Sequence, residues 1–262
     1  MKLSVVIPAQ NEADGIETTV RELHERLERS QVDHEIVVVN DHSTDGTAAV
    51  LSDLARDLDC VHPIDNLGAP GFGLAVRAGL AAYTGDAVAV YMADASDAPE
   101  DLVVFLRVME ERGVDCVFGS RFSVGGAVHD YPRLKLALNR AANTGIRLLF
   151  GLRYGDVTNA FKLYRRHVID GMEPLLSHHF NLTVELPLKA VVRGYSYAVV
   201  PNSWTNRRGG TSKFRIQEMG SRYAFIVLYC FLERWLSRGD YRRAELAGRP
   251  PAAVEEGTPS PR

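Results

Sequence analysis

This 262-residue sequence has few cysteines, a small net charge and no long apolar run. Its three cysteines, Cys60, Cys116 and Cys230, lie far apart, which argues against a disulfide framework or a cysteine-rich zinc site and predicts a reducing compartment. A net charge of −3 excludes the chain-wide basic field of a nucleic-acid binder. The apolar run at 3–7 is too short for a signal peptide, so we expect a first strand there.

Short apolar runs alternate with helical patterns along the first half of the chain. The runs have the continuous hydrophobicity of strands buried on both faces and lie at 3–7, 36–39, 61–64, 87–92 and 116–119. This alternation predicts an α/β fold with a mostly parallel, Rossmann-like sheet and helices on both faces. Because ligands of such sheets bind beyond the carboxyl ends of the strands, the loops at that edge are the candidate site.

The second half of the chain is less regular. A basic amphipathic helix is predicted over 133–152, and a further helix over 216–236 contains the apolar run 223–232, whose ten residues are too few to cross a bilayer. The other predicted elements are a strand near 156–163, a helix near 183–193, a strand near 195–200 and a loop over 204–214. The polar, proline-containing sequence from 238 onward is expected to be disordered.

Polar side chains follow the first two predicted strands, in the segments 8–12 and 40–47. Ionised carboxylates at that sheet edge can accept hydrogen bonds from ribose hydroxyls or base N–H groups. The alternative is that Asn11 or Asp45 accepts hydrogen bonds from the free N–H groups at a helix start.

The segment 92–101 follows the fourth predicted strand and holds four carboxylates. Oxygen ligands at a strand end suit Mg²⁺ or Mn²⁺, which can neutralise a substrate diphosphate. Asp94 lies nearest the strand end and is the candidate ligand. The alternative for Asp97 is an ordinary helix start, and we assign Glu100 and Asp101 to that role.

The loop at 204–214 carries three positive charges and no acid. Its paired glycines let the backbone approach a ligand, and its Arg and Lys side chains could clamp phosphates through charge-assisted hydrogen bonds. A solvated basic loop is the alternative.

The order of these motifs carries a family resemblance. VIPAQNE at 6–12, VVNDHSTDGT at 38–47, NLG at 66–68 and GD at 85–86 resemble family-2 glycosyltransferases with a GT-A fold. Within that family, GSRF, DVTNAF and the loop from Arg207 to Lys213 are similar to dolichyl-phosphate mannose synthases and bacterial polyprenyl-phosphate glycosyltransferases. The resemblance covers residues 1 to about 235. The resemblance implies a GT-A domain over 1–215, with a nucleotide-binding half at about 1–118 and an acceptor half at about 119–215. An apolar interface helix at 216–237 and a disordered tail at 238–262 would follow it.

The resemblance also implies a role for each matching residue. The donor would be bound by Pro8, Asn11, Glu12, Asp41, Asp94, Arg207 and Lys213. The lipid phosphate would be bound by Arg121, Lys135 and Asn139. Catalysis would rest on Asp94, Arg121 and Arg207, and the metal, Mg²⁺ or Mn²⁺, on Asp94 and Asp97.

The sequence departs from the family pattern at several of these positions. Met92 stands where the family has the first aspartate of its metal motif, and Asp97 adds a carboxylate three residues beyond Asp94. Lys135 and Asn139 replace an arginine and a serine of the acceptor site. These differences leave open both a reduced metal dependence and a non-catalytic nucleotide-sugar-binding protein.

The leading interpretation is an inverting glycosyltransferase that moves a sugar from a GDP- or UDP-linked donor to a polyprenyl phosphate. It would act as a peripheral protein on the cytoplasmic face of the membrane. The enzymatic alternative is a family-2 transferase with a soluble or polysaccharide acceptor. The helices predicted at 133–152 and 216–236 could lie in the lipid headgroup layer, with Arg133, Arg140 and Arg147 facing anionic lipid. Alternatively, they pack on each other or at a homo-oligomer interface.

Overall fold

A seven-stranded sheet lies at the centre of the computed structural model, which describes residues 1–206 and 216–242. The strands are β1 (Leu3–Ala9), β2 (His34–Asn40), β3 (Val61–Asp65), β4 (Ala87–Val90), β5 (Cys116–Ser120), β6 (Ala127–His129), β7 (Lys162–Arg165), β8 (Tyr197–Pro201) and β9 (Ser203–Thr205). Their order in the large sheet is β3-β2-β1-β4-β7-β5-β8, while β6 and β9 form a small parallel pair. All pairings in the large sheet are parallel except those of β7, which confirms the predicted mostly parallel sheet.

Eight helices among the described residues cover both faces of the sheet. They are α1 (Ile16–Arg29), α2 (Thr47–Asp57), α3 (Phe72–Ala82), α4 (Pro99–Arg112), α5 (Arg133–Phe150), α6 (Arg166–Met172), α7 (Leu182–Val192) and α8 (Ile216–Leu236). Buried side chains of α1, α2 and α4 form one core cluster with the sheet, and those of α3 and α5 to α8 form the other. Successive residues of β1 supply both clusters, since Val5 and Ile7 join the first and Val6 the second.

The prediction of a strand near 156–163 is mostly wrong. Residues 156–161 form a turn and a loop, and β7 begins only at Lys162. The chain passes the carboxyl edge of the sheet before β7 and therefore enters the sheet from that edge. This direction explains why β7 is antiparallel to β4 and β5. It also leaves the polar segment 156–161 at the same edge as the candidate loops. The tail from 243 lies outside the described residues.

The helix predicted at 133–152 forms as α5, in which Ile146 and Phe150 are buried but most of the leucines face outward. Leu134 and Leu148 are 71% and 73% exposed, whereas Asn143 is buried. The polar side therefore packs towards the sheet edge. Part of α5 contacts α8, where the rings of Phe150 and Phe231 lie 6.2 Å apart. No helix in the described parts of the chain is long and apolar enough to cross a membrane.

Glu35, the second residue of β2, is a buried carboxylate that stabilises the amino edge of the sheet. Burial would raise its pKa, but hydrogen bonds from Lys2, Ser4 and Thr84 outweigh burial and lower the pKa to about 2. The ionised carboxylate therefore contributes roughly 3 kcal/mol to the free energy of unfolding above pH 4.5, and this contribution is lost as the pH falls towards 2. Glu35→Gln should lower the stability measured by urea unfolding at pH 7 by about that amount.

The same variant should cost much less at pH 3, because the wild type has by then lost most of this contribution. Glu25→Gln is the matched control, since Glu25 forms an exposed ion pair with Arg29 that contributes about 1 kcal/mol or less. A stability loss in Glu35→Gln that is unchanged between pH 7 and pH 3 would contradict this assignment.

Candidate functional site

Two loops at the carboxyl edge of the sheet are joined by hydrogen bonds. Asn11, which follows β1, accepts a bond at Oδ1 from the backbone N–H of Thr44 at 2.7 Å, and its own N–H donates to Ser43 Oγ at 3.0 Å. The N–H of Glu12 donates to Thr47 Oγ1 at 2.9 Å. The predicted donor residues Asn11 and Glu12 thus connect the loop after β1 to the loop after β2. Pro8, the next-to-last residue of β1, is partly buried.

Asp41, which follows β2, binds the loop between β3 and α3 at this edge of the sheet. Its side chain is buried, Oδ1 accepts a hydrogen bond from Asn66 Nδ2 at 2.8 Å, and Oδ2 accepts one from the Gly71 N–H at 2.9 Å. Asp45 accepts a bond from the N–H of Thr47, the first residue of α2, as the helix-start alternative predicts. For Asn11 that alternative is wrong, because its partner lies in the neighbouring loop.

Asp94 and Asp97 lie in the loop between β4 and α4. Asp94 is partly buried, and its Oδ1 accepts a hydrogen bond from the Ser96 N–H at 3.1 Å. Asp97 is buried, and its Oδ1 has no hydrogen-bond partner among the described residues. The residue that precedes α4 is Ala98, so a cap by the Asp97 side chain is not observed. Burial raises the pKa of Asp97 to about 7, with Arg121 opposing and Asp94 adding to the shift.

Glu100 and Asp101 occupy the first turn of α4, as predicted. Asp101 Oδ2 accepts a hydrogen bond from the Ser203 N–H at 2.8 Å, and Glu100 is an exposed side chain 3.7 Å from Arg26. Asp94 and Asp97 remain as the acidic pair for a divalent cation. The buried Asp97 Oδ1, to which the described part of the chain donates no hydrogen bond, fits a hard cation, which prefers oxygen ligands. Met92 offers only a thioether, which suits softer metals.

Arg121 follows β5 and forms a buried ion pair with Asp156. Its Nε donates to Asp156 Oδ2 at 2.9 Å, its Nη2 donates to Oδ1 at 2.7 Å, and its backbone N–H also donates to Oδ2 at 2.9 Å. The side chains are 7% and 0% exposed. Burial opposes the charge of Arg121, but Asp156 outweighs it and raises the pKa of the guanidinium. The geometry fixes a permanent positive charge beside the acidic loop.

Two predicted acceptor residues lie on the inward side of α5. Asn139 Nδ2 donates a hydrogen bond to Thr158 Oγ1 at 2.8 Å, which joins α5 to the segment before β7. Lys135 is partly buried, and its Nζ lies 5.7 Å from the centre of the Tyr131 ring. Burial and the nearby Arg121 lower the pKa of Lys135, whereas Asp94 opposes this shift. Lys135 therefore lies within electrostatic reach of both the acidic loop and the buried arginine.

Sequence reasoning assigned no role to Asp156 or Lys162. Asp156 lies 35 residues from Arg121, so a single sequence gives no sign that they pair. Lys162 opens β7, is fully buried, and donates from Nζ to the Val157 carbonyl at 3.0 Å. Burial lowers the pKa of Lys162 to about 7. Its position between the apolar residues Phe161 and Leu163 was the available signal. The predicted donor residues Arg207 and Lys213 lie outside the described residues.

The chain is similar to known proteins over most of its length. Residues 4–172 match the family described as glycosyl transferase family 2. The chain is 33% identical over 234 residues to the polyprenol monophosphomannose synthase of Mycolicibacterium smegmatis, covering 83% of this chain and 86% of that protein. It is 27% identical over 240 residues to the undecaprenyl-phosphate mannosyltransferase of Micrococcus luteus, covering 90% of this chain and 96% of that protein.

The solved structures show the same fold. Glucosyl-3-phosphoglycerate synthase from Mycobacterium tuberculosis in complex with phosphoglyceric acid has a TM-score of 0.66 at 19% identity, covering 89% of this chain and 79% of that one. The same enzyme in complex with Mn²⁺, uridine diphosphate and phosphoglyceric acid has a TM-score of 0.65 at 19% identity, covering 89% and 78%. At this identity the likeness shows the fold alone, and it confirms the predicted GT-A fold.

Proposed function

We propose that this chain, which belongs to glycosyl transferase family 2, transfers a mannosyl group from a nucleoside-diphosphate sugar to a polyprenyl phosphate. The chain is a glycosyltransferase by family. The observation that carries the proposal is the placement of the cations Arg121 and Lys135 beside the acidic loop with Asp94 and Asp97. Such a site can hold two anions, the donor diphosphate and an acceptor phosphate. The names of both curated relatives include mannose and a polyprenyl-type lipid phosphate.

The proposed reaction is a single displacement. An oxygen of the lipid phosphate attacks the anomeric carbon as its bond to the donor diphosphate breaks, so the configuration inverts and a nucleoside diphosphate leaves. A phosphate monoester has a second pKa near 6 and is largely dianionic at pH 7, so the nucleophile needs no general base. Arg121 and Lys135 would bind and orient the attacking phosphate, which is catalysis by positioning and charge.

A divalent cation, Mg²⁺ or Mn²⁺, fits the same proposal. Asp94 and Asp97 would hold it, and when bound it would neutralise charge on the donor diphosphate. Asn11, Glu12 and Asp41 would bind the nucleoside at the edge of the neighbouring strands. Arg207 and Lys213, which lie outside the described residues, would clamp the diphosphate.

A soluble acceptor is the second candidate function, because the structural neighbour was crystallised with phosphoglyceric acid. The two are separated by measuring kcat/KM with a polyprenyl phosphate, phosphoglyceric acid and a free hexose in parallel, using GDP- and UDP-linked hexoses with Mg²⁺ or Mn²⁺. We expect the lipid phosphate to be preferred by orders of magnitude. Preference for either soluble acceptor would reject the lipid assignment.

We further propose that the protein acts as a peripheral protein at the cytoplasmic membrane face. Exposed apolar side chains of the neighbouring helices α5 and α8 support this. We call them the outer apolar surface, which comprises Leu134, Leu138, Leu148, Leu149, Phe225, Leu228, Leu232, Trp235 and Leu236. Apolar area of this kind, next to basic residues such as Arg133 and Arg147, suits the boundary between lipid headgroups and acyl chains.

Flotation with anionic liposomes tests this location. The wild-type protein should float with the liposomes, and Leu148→Ser combined with Trp235→Ser should shift it largely to the soluble fraction, because both exposed apolar side chains are removed. Val104→Ser is the matched control, since Val104 is 41% exposed on α4 at the opposite face of the sheet. Recovery of the wild type in the soluble fraction at low salt would contradict membrane binding. Elution as a dimer or higher oligomer at that salt would favour a homo-oligomer interface instead.

Lys135→Gln tests the acceptor site. The substitution removes a charge proposed to bind the lipid phosphate, so we expect about a tenfold or larger loss in kcat/KM for the acceptor with donor affinity nearly unchanged. Arg207→Ala should do the reverse and weaken donor binding. Arg107→Gln is the matched control because Arg107 is an exposed cation on α4, at the opposite face of the sheet from α5. Normal acceptor kinetics in Lys135→Gln would remove Lys135 from the site.

A further inference from the structure

A second cluster of ligating side chains lies at the opposite edge of the sheet. His34 is the first residue of β2, Cys60 immediately precedes β3, and His24 reaches them from α1. Because these strands are parallel and the proposed sugar-transfer site lies at their carboxyl ends, the cluster lies at the amino edge, away from that site. Within the described parts of the chain, this is the one group of three or more histidine, cysteine or acidic side chains close enough to share a metal ion.

The distances in the cluster approach those of metal coordination. His24 Nδ1 lies 3.0 Å from His34 Nε2 and 3.3 Å from Cys60 Sγ, and all three ligand atoms lie within 4.8 Å of one another. Zinc bonds of about 2.0 Å to nitrogen and 2.3 Å to sulfur place tetrahedral ligand atoms roughly 3.3 to 3.6 Å apart. The two pairs that involve His24 Nδ1 would therefore have to separate by a few tenths of an ångström to accept an ion between them, and the third pair already lies within 4.8 Å.

His34 is held in the orientation that a metal ligand needs. Its Nδ1 lies 2.8 Å from the Val32 carbonyl oxygen, and since a carbonyl only accepts, Nδ1 carries the hydrogen. The lone pair of Nε2 is then directed at His24 Nδ1. Metal-binding histidines are commonly fixed by such a bond from their second nitrogen to a backbone carbonyl. His34 is only 7% exposed, so the lone pair is presented by a side chain with little freedom to turn away.

We propose that His24, His34 and Cys60 bind one transition-metal ion of the zinc class. Two imidazole nitrogens and one thiolate favour such a metal over the Mg²⁺ or Mn²⁺ that suits the carboxylates at the other edge. The ion displaces the thiol proton of Cys60 to solvent, and the hydrogen that His24 Nδ1 donates to His34 Nε2 in the metal-free protein moves to His24 Nε2, which frees Nδ1 to bind the ion. A water molecule completes the coordination, since His24 and Cys60 are only partly buried. The site connects α1 to the amino ends of β2 and β3 and stabilises the N-terminal half of the fold.

Cobalt titration of the full-length protein tests this proposal. Co²⁺ takes zinc-type sites and gives a thiolate-to-metal absorption band in the near ultraviolet, which carboxylate sites do not give. The wild type, in buffer with excess Mg²⁺, should bind one equivalent with this band, and one equivalent of Zn²⁺ should abolish it. Cys116 and Cys230 are fully buried in the core and should not contribute.

The variants localise the band. Cys60→Ser and His24→Asn should each lose it, whereas His62→Gln should keep it, because His62 is an exposed imidazole on β3 outside the cluster. Far-ultraviolet circular dichroism identifies any variant that does not fold. Independently of variants, one equivalent of Zn²⁺ should protect Cys60 of the wild type from alkylation and raise its Tm. A wild type without the band, a band that persists in folded Cys60→Ser, or unchanged alkylation with Zn²⁺ would overturn the proposal.

Discussion

Asp94→Asn is expected to lower kcat for sugar transfer by roughly a hundredfold or more at saturating donor, acceptor and metal. Asp94 is the carboxylate nearest the end of β4, and it lies within electrostatic reach of both Asp97 and Lys135. The amide keeps the size of the side chain but loses the negative charge proposed to hold a divalent cation beside the diphosphate. The measurement is steady-state kinetics over a range of Mn²⁺ concentrations.

Glu100→Gln is the matched control for this experiment. Glu100 lies in the same acidic segment, but it is exposed and its oxygen lies 3.7 Å from Arg26 Nε, so its loss should leave kcat nearly unchanged. If Asp94→Asn keeps a near-normal rate at saturating metal, the assignment of Asp94 to the metal and donor site is wrong. If both variants lose activity equally, the acidic segment acts through its total charge.

Asp156→Asn is expected to have the second large effect, on both stability and activity. The substitution leaves the buried guanidinium of Arg121 without its bidentate partner, and an uncompensated buried charge of this kind costs about 3 to 5 kcal/mol. Urea unfolding at pH 7 measures the loss. Asp57→Asn is the control, since Asp57 forms an exposed ion pair with Arg21 and its loss should leave the stability nearly unchanged. Wild-type stability in Asp156→Asn would contradict the ion pair.

A double variant separates the structural role of this pair from its role in the site. Replacing both charges, Arg121→Met with Asp156→Leu, should recover much of the stability lost in Asp156→Asn, because buried ion pairs can often be replaced by apolar residues. Transfer to the lipid phosphate should nevertheless be abolished in the double variant, since the charge of Arg121 proposed to bind the acceptor is gone. A double variant that transfers sugar normally would show that Arg121 serves only the fold.

The strands and their edge loops were predictable because they depend on local sequence. Continuous apolar runs give buried strands, and polar residues at their ends mark the carboxyl edge, as seen for Asn11, Asp41 and Asp94. The direction of β7 was not predictable, because it depends on where the chain leaves α5. The pairing of Arg121 with Asp156 was not predictable either, because the two residues are 35 positions apart and only the tertiary fold brings them together.

The orientation of α5 and the state of Asp97 show a different limit of sequence reasoning. An amphipathic pattern gives two sides of a helix but does not say which side faces the core, and in α5 the polar side with Asn139 and Asn143 faces inward. The position of Asp97 before a proline suggested a helix cap. The structure places the cap one residue later, and the buried Asp97 Oδ1 has no hydrogen-bond partner in the described ranges 1–206 and 216–242, which makes Asp97 a stronger metal candidate.

The products of a single reaction distinguish sugar transfer to a lipid phosphate from the other possible reactions. The purified protein is incubated with a polyprenyl phosphate and a nucleotide sugar whose hexose is isotopically labelled. The lipid and nucleotide products are analysed by mass spectrometry. The proposed displacement predicts a lipid that carries one phosphate and one hexose, together with one equivalent of nucleoside diphosphate. A lipid diphosphate sugar with release of nucleoside monophosphate, or donor binding without any lipid product, would contradict it.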